Sequence, residues 1–157
     1  MRNKLTTIIF ITLLGLVIFQ SCEKEKEKEG KNETNISSKG EFESHNMGQN
    51  CMNCHKAGGE GEGWFNAAGT VYTKDGSRTN PNGTISLYTG PNATGDLKAT
   101  IEVDGLGNFY TTESIDFNGG VYPSLQGSSS TMHMSTSITS GQCNSCHGVS
   151  TDKLWTE

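Results

Sequence analysis

Apolar side chains are scarce. Hydrophobic residues make up 32% of the 157 positions and aromatic ones 8%, so once the ends are set aside there is material for one modest domain. Basic residues are also in short supply, 12 Lys and Arg against 17 Asp and Glu. No cluster of them could neutralise a phosphate backbone, which argues against nucleic acid as a partner. The run from Gly58 to Gly63 lacks the Lys-Ser/Thr pair of a phosphate-cradling loop and reads as a flexible hinge. Asp75-Gly76-Ser77 opens like a calcium loop but has Ser86 where the last ligand position needs an acid. Histidine is limited to four residues and cysteine to five, and those few carry most of the chemical information.

The start, residues 1–21, is a targeting segment. Arg2 and Lys4 supply a positive flank, and the apolar run from Leu5 to Phe19 is too short for a stable membrane span. Gln20-Ser21-Cys22 follows. Together these resemble a bacterial lipoprotein signal, in which the cysteine receives lipid and becomes the new N-terminus. The resemblance implies lipidation at Cys22, export, and anchoring to the cell envelope at the outer membrane, on its periplasmic or its surface face. Residues 22–44 are mostly Glu, Lys, Asn, Ser and Gly, too polar to build a core, and read as a solvated tether.

Cys51-Met52-Asn53-Cys54-His55 and Cys143-Asn144-Ser145-Cys146-His147 repeat one pattern, two cysteines two residues apart and then a histidine. Each reads as a site of covalent haem c attachment. The two thiols form thioether links to the porphyrin, and His55 or His147 reaches the iron as proximal ligand. The cysteine count then closes, with Cys22 for lipid and four thiols for two covalently bound haem c groups. Disulfides are a competing reading in an exported chain. Pairs this close do not favour a strain-free local bridge, and crossed bridges leave both histidines without a reason. The alternative from another class is a four-cysteine zinc knot stabilising an exported β-sandwich binding module without redox activity. It does not require the histidines either.

Each iron needs a sixth ligand or an open position. His45 and His133 are the histidines that remain, and the count by itself suggests two closed, low-potential, bis-His sites. His45 stands just upstream of the first motif and serves its own haem or the other. Around the second motif, an extended 132–134 segment points Met132 and Met134 one way and His133 the other, and only one side can face the iron. Counting histidines favours His133. The stretch Met134-Ser135-Thr136-Ser137-Ile138-Thr139-Ser140-Gly141 resembles segments of dihaem lipoproteins in which the methionine recurs, which implies Met134, the preferred ligand. A thioether there would raise that haem's potential above its partner's and give the electron a direction.

Between the motifs the chain reads as β-structure. Val71-Tyr72, Thr84 to Tyr88, Leu97 to Val103, Phe109 to Thr112 and Ile115 to Tyr122 carry β-branched or aromatic residues, separated by turn chemistry such as Asn80-Pro81-Asn82-Gly83 and Gly90-Pro91-Asn92. Gly69-Thr70-Val71-Tyr72, Gly83-Thr84-Ile85-Ser86-Leu87-Tyr88 and Val103-Asp104-Gly105-Leu106-Gly107-Asn108-Phe109-Tyr110 resemble the carboxypeptidase regulatory-like sandwich over about residues 67 to 112. That likeness implies a seven-stranded scaffold with no chemistry of its own.

The expected fold class is all-β, an Ig-like or prealbumin-like sandwich flanked by short haem-binding segments. Residues 45–63 form the first haem segment, 64–125 the sandwich, 126–150 the second haem segment and 151–157 a tail whose Trp155 could cover a haem edge. The two porphyrins would supply apolar area that the small core lacks and would lie side by side where the ends of the sandwich meet. The function expected is electron transfer by a membrane-anchored dihaem c-type cytochrome. Loss of Arg2 and Lys4 on cleavage takes the formal charge from −5 to −7, which suits steering toward a basic redox protein partner. The chain reads as an electron carrier and not an enzyme. A peroxidase would need an acid or base beside an open iron, and neither motif has one.

Overall fold

A computed structural model describes residues 30–157. The targeting segment, Cys22 and the start of the tether lie outside the described residues.

Seven strands form two sheets: β1 (Ala67–Thr70), β2 (Thr84–Gly90), β3 (Thr94–Glu102), β4 (Asn108–Thr111), β5 (Tyr122–Gln126), β6 (Thr131–His133) and β7 (Gly141–Gln142). One sheet has the order β4-β1-β7 and the other β3-β2-β5-β6. The fold is an all-β sandwich. Pairing is antiparallel throughout except between β1 and β7.

Alternation explains the core. In β2, Ile85 and Leu87 are buried while Thr84, Ser86 and Tyr88 are not, as period-two side-chain placement requires. They pack with Val71, Ile101, Val103, Phe109, Val121 and Leu125. The turn into β4 follows from Asp104, whose Oδ1 accepts from the amides of Leu106 and Asn108 at 2.9 Å each. Gly107 there has φ +87°, a backbone conformation that a β-carbon would strain.

Strand β1 positions both motifs, because its two faces belong to different clusters. Ala67 lies in the main core between the sheets. Ala68 lies on the opposite face with Phe65 and Tyr110.

Three expectations need correction. Residues 30–44 do not form a free tether, since Ile36 bridges Thr111 and the Ser37 amide donates to the Tyr110 carbonyl at 3.0 Å. Ser37 is buried and its hydroxyl donates to the Glu102 carbonyl at 2.6 Å. This segment covers the outer edge of β4, whose backbone groups would otherwise be unpaired. Residues 115–121 are not a strand. Gly119 and Gly120 both have φ +81° and turn the chain, although Ile115 and Val121 are buried at the two ends. Finally, β6 and β7 belong to the sheets, so the sandwich does not stop at residue 125 but takes in much of the second haem segment.

Candidate functional site

The two motifs adopt the same local structure. Cys51–Asn53 and Cys143–Ser145 are each one turn of 3-10 helix. In each, the histidine amide returns to the carbonyl of the first cysteine at 3.0 Å. The first thiol donates to the carbonyl two residues back, Cys51 Sγ to Gln49 at 3.6 Å and Cys143 Sγ to Gly141 at 3.5 Å. Cys54 and Cys146 are exposed, and all four thiols are free. No local or crossed disulfide joins them. Burial raises the Cys51 thiol above its ordinary range and pushes Cys143 up to about 12, since a thiolate there would lose its water.

Each histidine is held by its other ring nitrogen. His55 Nδ1 lies 2.8 Å from the Glu62 carbonyl and His147 Nδ1 lies 2.8 Å from the Asp152 carbonyl. A carbonyl only accepts, so Nδ1 is the donor, and in the neutral imidazole the lone pair then lies on Nε2. That is how metal-ligating histidines are ordinarily oriented.

The glycine-rich run makes this possible at the first motif, and it is not a hinge. Gly61 donates to the Cys54 carbonyl at 3.1 Å and Gly63 to that of Lys31 at 2.7 Å. A β-carbon on Gly61 would come within 2.8 Å of the His55 ring. The loop is thus a cradle closed over the imidazole.

The surroundings of the two motifs differ because they occupy opposite faces of β1. Cys51 and Met52 pack on the outer cluster of Phe65, Ala68 and Tyr110. His55 stacks on Phe65 at 4.2 Å with an interplanar angle of 7°, and Phe65 stacks on Tyr110 at 4.9 Å. The His45 ring stands 5.8 Å from that of His55, tilted by 37°. The structure brings His45 to its own motif. The cleft between them is small, about 90 Å³, and its rim includes Glu43.

Cys143 instead packs against the main core. Beside it opens a cavity of about 730 Å³ lined by inner-face residues of both sheets, among them Phe109, Ile85 and Leu125, and by Leu154 and Trp155. That volume lies within the ~300–1,000 Å³ usual for ligand and cofactor sites. Met132, His133 and Met134 all border it. Register separates them. Met132 pairs with Leu125, and the Met134 amide donates to the Pro123 carbonyl at 2.9 Å, so both methionines share the inward face of Leu125. His133 pairs with Ser124 on the other face, and its Nδ1 lies 3.0 Å from the Ser124 hydroxyl.

The motifs are neighbours. Asn50 caps the first turn by accepting from the Met52 amide at 3.2 Å, and its Nδ2 donates to Gln142, the residue before the second turn, at 3.0 Å. Among the described residues no group of three or more His, Cys, Asp or Glu side chains converges as for a metal ion. The four thiols form no preassembled zinc knot.

The donor set fits a porphyrin attached at each motif: paired unbridged thiols, a histidine with Nε2 available, a glycine cradle at the first motif and a cofactor-sized apolar cavity at the second. Sequence reasoning does not single out Phe65, Tyr110 or Gly61. The pair Trp64-Phe65 directly after the glycine run is the one signal that points to them. Compared with family models, curated proteins and solved structures, the chain matches none.

Proposed function

We propose that this protein is an envelope-anchored dihaem c-type cytochrome that relays electrons and performs no net chemistry. The observation that carries the reading is the pair of matching turns in which Nδ1 of His55 and of His147 is engaged by a backbone carbonyl at 2.8 Å, beside two unbridged thiols. A haem c at each motif supplies an iron that takes up and releases one electron.

The chain's own residues set the terms of that exchange. Cys51 and Cys54 hold the first group, Cys143 and Cys146 the second, through thioether bonds. His55 and His147 are the proximal ligands. His45 would be the distal ligand of the first site, being the second imidazole beside His55. Met134 would be the distal ligand of the second, since it lies on the Leu125 face of β6, while the His133 ring, which also borders the cavity, is engaged by the Ser124 hydroxyl at 3.0 Å. Bis-His ligation would hold the first site at lower potential than a His/Met pair beside the larger apolar cavity would hold the second. Haems so ligated would give the second site the higher potential and so favour passage of an electron from the first to the second. The acidic surface steers a basic redox protein toward the chain, and lipid on Cys22 keeps it at the membrane.

A pyridine haemochrome assay with a reduced-minus-oxidised spectrum on the purified, matured protein is the test. Two covalent haems per chain are expected. Bound zinc with no Soret band would overturn the reading in favour of a binding module stabilised by four zinc-bound cysteines.

A further inference from the structure

A chain of buried polar side chains runs from inside the second motif to the backbone of His45. Asn144, the residue after Cys143, is buried, as are Thr70 and Asn108. Asn144 Oδ1 accepts from the Thr70 amide at 3.1 Å, and its Nδ2 donates to the Thr70 hydroxyl at 3.0 Å and the Gln49 carbonyl at 2.8 Å. The Thr70 hydroxyl donates to Asn108 Oδ1 at 2.7 Å and accepts from the Gly48 amide at 2.9 Å. Asn108 Nδ2 then donates to the Ser44 hydroxyl at 3.0 Å and the His45 carbonyl at 3.2 Å. Every side-chain amide and hydroxyl along this path is engaged, and a buried polar network so satisfied rigidifies what it touches. The matching position in the first motif is unlike it. Met52 packs on the Phe65 cluster, and Asn53 bonds only Asn50 at the surface.

We propose that Asn144, Thr70 and Asn108 are positioning residues that hold the His45 segment in place, so that the second CxxCH turn sets the distal ligation of the first iron. The proposal rests on the dihaem reading above. It makes the two sites one unit in which a change in the second turn is felt as loss of a ligand at the first. The three residues hydrogen-bond the segment from Ser44 to Gln49 at the Ser44 hydroxyl, the His45 and Gln49 carbonyls and the Gly48 amide.

The test uses the full-length protein matured with its haems, with haem content assayed first. A parent lacking two haems removes the dihaem reading itself, whatever the variants do. With two haems present, His45→Ala marks the high-spin ferric signal of a first site without its distal ligand in electron paramagnetic resonance. Thr70→Val and Asn108→Leu are expected to produce that same signal. The ratio of His45-bound to unbound iron should fall about tenfold or more, as for loss of a buried hydrogen-bond partner. Asn144→Leu should do likewise from within the other motif, while Thr70→Ser, which keeps the hydroxyl, restores the low-spin signal. Thr156→Val, which strips a buried hydroxyl outside the network, controls for general weakening. Variants that melt earlier yet keep the parent's low-spin signal would overturn the proposal, as would a high-spin signal of equal size in Thr156→Val.

Discussion

The two CxxCH turns have the same backbone, the same thiol-to-carbonyl bond and the same anchored imidazole, yet they stand on opposite faces of β1. The first lies on the outer face against Phe65 and Tyr110. The second abuts the core beside a cavity of about 730 Å³. A five-residue motif thus dictates a turn, while the alternation of a short strand dictates what the turn looks into. Gly69 shows how tight the second arrangement is, since a β-carbon there would meet the Phe109 ring and Cys143.

The contrast breaks most visibly if each motif is disabled in turn. If a haem fills the cavity between the sheets, Cys143→Ser with Cys146→Ser empties it and is expected to cost about 4 kcal/mol, towards the upper range for emptying an apolar site. Cys51→Ser with Cys54→Ser would release a group that has only the smaller cleft of about 90 Å³ beside it, and should cost about 1–2 kcal/mol. Thermal unfolding of the matured proteins by circular dichroism compares them. Equal losses would mean that the second cavity is not filled.

Next in size is the difference in ligation. Met134→Ala should abolish a methionine-to-iron charge-transfer band and lower the higher of the two midpoint potentials, whereas His133→Ala should leave the band in place. No such band in the parent would leave neither iron with a methionine and erase the proposed direction of electron flow, and a band that survives Met134→Ala would overturn the assignment of that residue.

Gly61→Ala sharpens the comparison from the other side. The new methyl group would press on the His55 ring, and the loop must shift at a cost of about 1–3 kcal/mol. The first site's paramagnetic signal should change and the second site's should not.

The smallest effect concerns Tyr110, under the first motif. Burial, and then the carboxylates of Asp104, Glu41 and Glu43, push its phenol from 10.0 up to about 12. The unfolded chain releases this proton first. The contribution to stability is therefore intact below pH 10 and is lost as pH rises through about 12. Tyr110→Phe should flatten that part of an alkaline unfolding curve.

Much of this architecture is legible in the sequence because it is local or periodic. The alternation in Thr84 to Tyr88 and the Asp104 turn each state their geometry in consecutive residues, as do the motifs. Residues 35–37 look like tether because what joins them to β4 is backbone pairing and one serine hydroxyl, which leave no apolar pattern. Ile115 to Val121 misleads for the opposite reason: its buried ends look like a strand, and Gly119-Gly120 between them outweighs that likeness. The proximity of His45 to His55, and the network through Thr70, join residues distant in sequence. Single polar residues carry no periodic mark of such contacts. Parity within 132–134 is readable from the chain alone, whereas the face that borders the cavity depends on the pairing of β6 with β5.

The most direct test of the central claim is the intact mass of the protein expressed in a host able to attach c-type haem. The expected mass exceeds that of the polypeptide by two haem groups, falling by one group in the Cys51→Ser/Cys54→Ser variant and by one in the Cys143→Ser/Cys146→Ser variant. A parent with the mass of the bare polypeptide would contradict it.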